Sequence, residues 1–419
     1  MGENIQMSIE KPFYIDGLDN KKISYGNFFS DLANIKEFSP LCKQDSIYGY
    51  FVNISASLLS GIPITLLDSD LSETEIQNLC GKRDLYAPKH IRIPEFHSFG
   101  EFLNAIKSGE NTWICTLFSS GTTGRPKRID HSLKSLARHV KISPKHSGDI
   151  WGFAYNPTHI AGLQVFFQAV FNANTIVRLF GLSANSLLKT IEGESVTHIS
   201  ATPTFFRMLP DSTNAIPQVR AITSGGEKFD AHAMKKLGRI FPNARITNIY
   251  ASTEMGTVLA SDGDVFTPKA NTAGLLKIVN GELWIHQSLA GSSEDIIPSG
   301  EWYNTGDCVE IISEEPLSFK FTSRKNEIIN VGGYNVNPNE VEQALQEIDG
   351  IRAARVFAKK NSILGNIVCS EVVPSGGGAD EASIRASLSK RLQPFKIPRI
   401  IKFVDALKFT KTGKLSRKP

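Results

Sequence analysis

Between Phe51 and Ile285, short apolar runs alternate with amphipathic stretches, and this alternation restricts the fold more than any other feature of the chain. The runs include IPITLL, TWICTLF, HISATPT, RAITSGG and RITNIYA. Stretches of helical spacing, such as SLKSLARHV and DAHAMKKLGRIF, separate several of them. A strand that is apolar along its whole length has both faces covered, and strands joined through helices pair in parallel. The expectation is an α/β fold of layered, mainly parallel sheets with flanking helices. From Gly274 to Ile312 the texture changes to short strands broken by Gly, Pro and Asn, as in GLLKIVNGELWIHQ, which reads as a small β-barrel-like part.

A second alternation begins near Arg324. NEVEQALQEI sets Val341, Leu345 and Ile348 on one helical face. RAARVFAKK and NIVCSEVVP read as strands, SIRASLSKRL as a helix, and PSGGGADE as a surface loop. The chain is therefore expected to divide into a large N-terminal domain, residues 1–323, and a small α+β domain, residues 324–419. No period of 20–50 residues recurs, which argues against a solenoid.

Hydrophobic residues make up 41% of the 419 and charged residues 21%, so neither a disordered nor a collagen-like chain is in question. The net charge of +4 is too mild to imply nucleic acid. The segment from Ser387 to Pro419 nevertheless carries ten Lys or Arg against one acid, Asp405. Such an end attracts phosphates or is simply a solvated basic face. It lacks the aromatic interleaving and the recognised fold of a nucleic-acid binder. The cysteines (Cys42, Cys80, Cys115, Cys308, Cys369) are odd in number, scattered and never in a CxxC pair, so no disulfide scaffold or zinc site is expected. MGENIQMSIEKPF has no apolar run after a basic head. The uncharged stretch Ser46 to Leu67 is long enough to span a bilayer. It is interrupted by Asn53, Gly49, Gly61, Pro63 and four serines, and reads as a buried helix followed by a strand. A cytoplasmic protein without a membrane span is the expectation.

The strongest motif is LFSSGTTGRPKRIDH, residues 117–131. An apolar strand runs into Ser119, Ser120, Gly121, Thr122, Thr123 and Gly124, then Arg125, Pro126 and Lys127. Glycines let successive backbone N–H groups turn toward an anion, hydroxyls add donors, and lysine adds charge, as a triphosphate requires. The spacing is not that of a Walker A loop.

With its companions, this segment resembles the adenylate-forming enzymes: acyl- and aryl-CoA synthetases, peptide-synthetase adenylation domains and luciferases. Ser224, Gly225, Gly226 and Glu227 look like the adenine-side loop. Tyr250, Ala251, Ser252, Thr253 and Glu254 look like the YGxTE motif, and WYNTGD (Gly306, Asp307) like the TGD motif. Ser323 to Tyr334, SRKNEIINVGGY, is similar to the hinge and the loop after it. TKTGKLSR, with Lys414 and Arg417, is similar to the C-terminal PKTxxGKxxR segment. The resemblance covers at least residues 113–419, and six motifs in the family's order make it specific.

The resemblance implies an acid–thiol ligase. A carboxylic acid and ATP give acyl-AMP and pyrophosphate, and a pantetheine thiol then displaces AMP. It implies ATP, Mg²⁺ and CoA, with the phosphopantetheine of an acyl carrier protein as the alternative acceptor. Activation means attack of one anion on the α-phosphate of another, so positive charge must gather there. By this likeness Glu254 holds Mg²⁺ with Thr253 beside the α-phosphate, and Asp307 accepts both ribose hydroxyls. Arg324 touches ribose or phosphates, and Lys414 bridges the substrate carboxylate and the α-phosphate. Asn326 is the hinge, where the family usually has Asp or Lys, and Gly332 and Gly333 line the thiol's entry. The acid pocket is expected from residues 155–164, with His159 beside the carboxylate, from residues 200–204, and from the Tyr250 region. No Asp occurs between Trp151 and Gln168 to hold an α-ammonium group, which argues against an amino acid. The phosphate loop starts near residue 118, tens of residues earlier than in typical members, so a shortened first subdomain is expected. The oligomeric state stays open, a dimer included. A nucleotide-binding module without catalysis is the alternative of another class.

Overall fold

The computed structural model describes residues 8–81, 87–108, 112–119, 126–210, 212, 214–226, 231–270, 272–292, 300–362, 364–375 and 379–408. The chain forms two compact units. The first comprises Met1–Gly226, His232–Asp262 and Ser288–Ile297, and the second Glu227–Ala231, Gly263–Gln287 and Pro298–Pro419.

The first unit opens with β1 (Pro12–Ile15), β2 (Lys22–Ser24) and α1 (Tyr25–Asn34). There follow β3 (Glu37–Phe38), β4 (Leu41–Lys43), α2 (Ile47–Ser60), β5 (Ile64–Leu67), α3 (Glu73–Cys80), β6 (Lys89–His90) and α4 (Phe99–Ser108). Next come β7 (Ile114–Ser119), β8 (Lys127–Ser132) and α5 (Leu133–Leu136). A regular alternation then runs through β9 (Ile150–Phe153), α6 (Ile160–Phe171), β10 (Thr175–Arg178), α7 (Ala184–Gly193), β11 (His198–Ala201) and α8 (Pro203–Met208). It closes with β12 (Ala221–Gly225), α9 (Ala231–Ile240), β13 (Arg245–Ser252) and β14 (Gly256–Ser261).

These strands make an eight-stranded sheet, order β14-β13-β12-β11-β9-β10-β1-β2, and a four-stranded sheet, order β4-β5-β7-β8. In the large sheet the six strands from β13 to β1 are parallel, and only the edges β14 and β2 run the other way. The continuous apolar runs predict this, because both faces of such a sheet are covered by helices. Helix α2 fills the space between helix and sheet with aromatic rings. Phe51 stacks on Phe166 of α6 at 4.7 Å and meets Phe153 of β9 edge-on at 5.2 Å. Ser46 caps the start of α2 by accepting from the Gly49 amide, and Gly61 ends it at φ 66°. The uncharged stretch from Ser46 to Leu67 is thus a buried helix and strand, as its sequence predicts. Among the described residues no helix is long and apolar enough to cross a membrane.

The second unit contains β15 (Val265–Phe266), β16 (Leu276–Val279), β17 (Glu282–His286), β18 (Trp302–Glu314) and β19 (Leu317–Arg324) in one antiparallel sheet, order β15-β19-β18-β17-β16. Asn280 and Gly281, at φ 51° and 75°, turn β16 into β17 as a two-residue primed hairpin requires. Beyond them lie β20 (Ile329–Val331), β21 (Tyr334–Val336), α10 (Pro338–Gln346), β22 (Ile351–Asn361), β23 (Gly365–Pro374), α11 (Glu381–Ser389) and β24 (Ile400–Phe403). Val341 and Leu345 of α10 and Ile384 and Leu388 of α11 share a core with Val356, Val368 and Val372.

Two features differ from the sequence expectation. The compact units do not part at residue 323. The sheet β15–β19 groups with the C-terminal elements, and the Asn337 amide donates to the Thr322 carbonyl at 3.0 Å across the expected boundary. The helix expected over SLKSLARHV stops after four residues. Its following side chains bond elsewhere: the Arg138 guanidinium to the Leu289 carbonyl (3.3 Å) and the His139 ring to that of Thr257 (2.9 Å).

At the amino ends of the parallel strands, a buried carboxylate organises a charge cluster. Asp149 accepts from Arg220 at 3.0 Å and from His146 Nδ1 at 2.9 Å, and lies 3.6 Å from His198 Nε2. Burial lowers the His198 pKa, Asp149 pulls against it, and Arg220 and His146 add to it. A histidine held below its unfolded value of about 6.5 favours the folded state above that pH, and the contribution is lost as pH falls below it. Thermal melts should therefore drop between about pH 7.5 and 5.5, and His198→Gln should flatten the slope in that window. A slope unchanged in the Gln variant would remove His198 from this role.

Candidate active site

The carboxyl ends of β9, β11, β12 and β13 all lie along one edge of the large sheet, and each is followed by a segment that the sequence marks out. In open α/β sheets this edge is where ligands bind. The loop 154–159 follows β9, and His159 at its end precedes α6, its amide donating to the Asn156 carbonyl at 3.2 Å. Gly162 in the first turn of α6 is required by close approach, since a Cβ there would lie 2.6 Å from the Asn156 carbonyl oxygen. After β11, Thr202 caps α8 by accepting from the Phe205 amide at 3.2 Å.

Ser224 and Gly225 end β12, with Gly225 opposite Ile249 of β13. A Cβ on Gly225 would meet the Ile249 carbonyl at 2.8 Å, and Gly226 adopts φ 86°. Both glycines are thus demanded by the backbone. Glu227 lies outside the described residues. Tyr250, Ala251 and Ser252 finish β13, with a bulge between Tyr250 and Ala251, and Thr253, Glu254 and Met255 turn the chain into β14. Glu254 is half-buried.

The segment rich in glycine and hydroxyls is the connection of a β-hairpin. β7 and β8 pair antiparallel, Ser119 opposite Lys127, so no helix follows the loop. Residues 120–125, which include Ser120, Gly121, Thr122, Thr123 and Gly124, lie outside the described residues. The hairpin belongs to the small sheet, yet it is joined to the turn after β13. Asp130 exchanges backbone hydrogen bonds with Ser292 at 2.8 and 3.0 Å, and the Gly291 amide donates to the Glu254 carbonyl at 2.7 Å. The fully buried His131 donates through Nε2 to the Thr253 carbonyl at 2.8 Å. Burial holds the His131 ring below the usual histidine range, against the pull of the Thr253 carbonyl. Neither His131, the last residue of the loop motif, nor Gly291 announces this role in the sequence, because each acts through a residue distant along the chain.

Asp68 also escapes the sequence reading. It follows β5 and accepts from Asn156 Nδ2 at 2.9 Å and from the Thr158 hydroxyl. A carboxylate does therefore reach the loop before His159, but it is engaged in holding that loop to the small sheet.

In the second unit, Asp307 on β18 sits opposite Arg324 on β19. The carboxylate is 5% exposed at residue level and accepts from Arg324 Nε at 2.6 Å and, more loosely, from its terminal nitrogen at 3.4 Å. Thr305 donates its hydroxyl to the Leu283 carbonyl and accepts from the Asp307 amide. Gly332 and Gly333 form the two-residue turn of hairpin β20–β21 at φ 57° and 90°. A primed turn needs positive φ at both positions, which accounts for the glycine pair independently of any ligand. Asn326 lies in a single 3₁₀ turn, Lys325–Glu327, directly after β19. Lys414 lies outside the described residues. Among the described residues no cluster of three His, Cys, Asp or Glu forms a metal cage.

Comparison with known proteins decides the family. The AMP-binding enzyme family matches residues 57–286, more than half of the chain, and the AMP-binding enzyme C-terminal domain matches residues 340–414. The chain belongs to the AMP-binding enzyme family. This AMP-binding enzyme is 28% identical over 332 residues to a 3-[(3aS,4S,7aS)-7a-methyl-1,5-dioxo-octahydro-1H-inden-4-yl]propanoyl:CoA ligase of Mycobacterium tuberculosis, covering 72% of this chain and 64% of that protein. It is 28% identical over 330 residues to a 2-succinylbenzoate–CoA ligase of Staphylococcus aureus, covering 72% and 65%. The chain thus spans less than two-thirds of the length of these relatives. Among solved structures it matches ATP-bound MatB from Rhodopseudomonas palustris with TM-score 0.73 at 18% identity, covering 99% of this chain and 95% of that one. It also matches the o-succinylbenzoate CoA synthetase MenE from Bacillus subtilis in complex with its acyl-adenylate, with TM-score 0.67 at 18% identity, covering 97% and 94%. These likenesses show that the AMP-binding enzyme has the fold expected from its motifs.

Removing the Asp68 carboxylate leaves the Asn156 amide and the buried Thr158 hydroxyl without their acceptor. Asp68→Ala is expected to cost about 1–3 kcal/mol in urea unfolding. In a double-mutant cycle Thr158→Val should add less to Asp68→Ala than it costs alone. Full additivity would show that the bond from Thr158 does not hold the loop.

Proposed function

We propose that this enzyme activates a carboxylic acid with ATP to an acyl-AMP and then transfers the acyl group to the thiol of CoA. The observation that carries the reading is the seam between the two sheets of the first unit. There the hairpin of the phosphate-type loop is hydrogen-bonded to the Thr253–Glu254 turn. Adenylation needs donors for a triphosphate and a carboxylate for a metal held in one rigid frame, because charge builds at the α-phosphate. The relatives at 28% identity are CoA ligases, which favours CoA as the acceptor over a carrier-protein phosphopantetheine. No Asp occurs in the loop after β9, and Asp68, which reaches that loop from the end of β5, is engaged by Asn156 and Thr158; both support a substrate other than an amino acid.

In this reading the reacting oxygen is one of the acid's own carboxylate oxygens. It attacks the α-phosphorus, and the α–β bridging bond breaks to release pyrophosphate. The amides and hydroxyls from Ser119 to Gly124, with Lys127, hold the phosphates. Gly225, Gly226 and Glu227 face the adenine with Tyr250, Ala251 and Ser252. His159 stands beside the carboxylate of the acid. Glu254 and the phosphates together suit Mg²⁺, which takes one or two carboxylates plus substrate oxygens rather than an all-protein cage. When bound, that ion neutralises phosphate charge. Asp307 accepts the ribose hydroxyls, its carboxylate oriented by Arg324, and Lys414 neutralises the two anions as they approach. In the second half-reaction the thiol attacks the acyl carbon and AMP leaves. The resemblance gives Asn326 as the pivot between the two half-reactions and Gly332 and Gly333 as the edge of the thiol's path.

Pyrophosphate exchange into ATP, run with short, branched, medium-chain and aromatic acids and with 2-succinylbenzoate, should reveal at least one acid that drives exchange. With that acid, Lys414→Ala should abolish most of the exchange yet retain thioester formation from presynthesised acyl-AMP. Equal loss in both half-reactions would remove Lys414 from the adenylation step, and exchange with none of the acids would overturn the proposed reaction.

A further inference from the structure

The geometry points to His131 as a positioning residue that holds the Thr253–Glu254 turn in its working conformation, with Gly291 as the small residue that makes this possible. The inference deepens the proposed reaction and rests on it only for the purpose of the turn. Four observations carry it.

His131 is fully buried, and its Nε2 lies 2.8 Å from the Thr253 carbonyl, which can only accept. The ring therefore donates from Nε2, and Nδ1 accepts from the Ser135 hydroxyl at 3.2 Å, which selects one tautomer. The next carbonyl along the turn, that of Glu254, accepts from the Gly291 amide at 2.7 Å. Both carbonyls of the Thr253–Glu254 pair are thereby fastened from outside their own strand. Gly291 packs directly on the ring. A Cβ there would lie 2.8 Å from His131 Cε1 and 2.9 Å from Ile129 Cγ2. The backbone of Gly291 is one that alanine adopts, so packing alone demands glycine. Finally, the same segment clamps the far side of the turn, where the His139 ring donates to the Thr257 carbonyl at 2.9 Å.

Two histidines eight residues apart thus grip the two ends of the turn that carries Glu254. Between them lies the single-turn helix α5, Leu133–Leu136. A buried histidine with a purely packing role would tolerate any residue of equal volume. A positioning histidine needs its donor. Glutamine tests the difference, because its Nε2 sits as many bonds from Cα as the histidine Nε2 does, whereas leucine has no donor.

The experiment uses the full chain as wild type, His131→Gln, His131→Leu and Gly291→Ala, each checked for folding by thermal melts. At saturating acid and Mg·ATP, His131→Leu should slow adenylate formation about tenfold or more, while the KM for the acid moves by less than about threefold. His131→Gln should recover most of that rate. Gly291→Ala should reproduce the loss, and the double variant His131→Leu/Gly291→Ala should be no slower than His131→Leu alone, since both act through one contact. If His131→Leu does not fold, Gly291→Ala against His131→Gln carries the same comparison. Hydrogen exchange over residues 252–257 in the same preparations should rise in His131→Leu and Gly291→Ala and stay near wild type in His131→Gln. A Gln variant as slow as the Leu variant, a Leu variant as fast as wild type, or unchanged exchange in both Leu and Ala variants would overturn the assignment. A wild type silent with every acid condemns the proposed reaction instead, and exchange alone then decides whether His131 holds the turn.

Discussion

The hydrogen-bonded seam between the small sheet and the turn after β13 is the constraint on which the rest of the first unit depends. In the proposed reaction the small sheet carries the loop that holds the phosphates and the large sheet the turn that holds the metal. Apolar packing brings them near each other, with Phe51 of α2 pressed between Phe153 and Phe166. Packing of this kind is non-directional and does not set the position of a carboxylate to a fraction of an ångström. The seam supplies direction: a backbone pair between Asp130 and Ser292, an amide from Gly291 and a ring nitrogen from His131. Donors fixed before the reaction need no reorganisation as charge develops, which is why such rigidity matters at a phosphate.

The same logic recurs at the loop before α6, on a smaller scale. Asp68 is an acceptor with two donors, and its engagement by Asn156 and Thr158 ties the loop to β5 of the small sheet. In the second unit, the buried Asp307 is oriented by the half-exposed Arg324 from the neighbouring strand through one short bond. The Asp68 and Asp307 carboxylates are thus each held by a partner outside their own turn, whereas at Glu254 it is the backbone carbonyl that is fastened. A carboxylate left free to rotate would spend rotamer entropy on every encounter with a ligand.

Much of this was legible in the sequence, for identifiable reasons. The parallel sheet could be read because buried strands are apolar throughout, and ITLL, ICTLF, HISA, AITSG and RITNIYA each appear as strands. The order of motifs identified the family, and residues 57–286 and 340–414 match it. What escaped depends on distant contacts. SLKSLARHV has the spacing of a helix, but Arg138 and His139 are drawn to carbonyls far along the chain and the helix ends early. His131 and Gly291 are ordinary letters until the fold sets one against the other. The grouping of β15–β19 with the C-terminal elements follows from which surfaces touch, a property that composition does not carry. Gly332 and Gly333 illustrate a subtler difference: their pairing looks like room for a ligand, yet the hairpin turn requires both of them.

The central claim is that an oxygen of the acid's carboxylate attacks the α-phosphorus of ATP. Labelling that oxygen tests it directly. With an acid that supports turnover, its carboxylate enriched in ¹⁸O, and with CoA as acceptor, AMP collected at the end of the reaction should carry one labelled oxygen, visible as a gain of about 2 Da by mass spectrometry, while pyrophosphate stays unlabelled. Label in orthophosphate with ADP as the nucleotide product, or unlabelled AMP in the presence of thioester, would contradict the account.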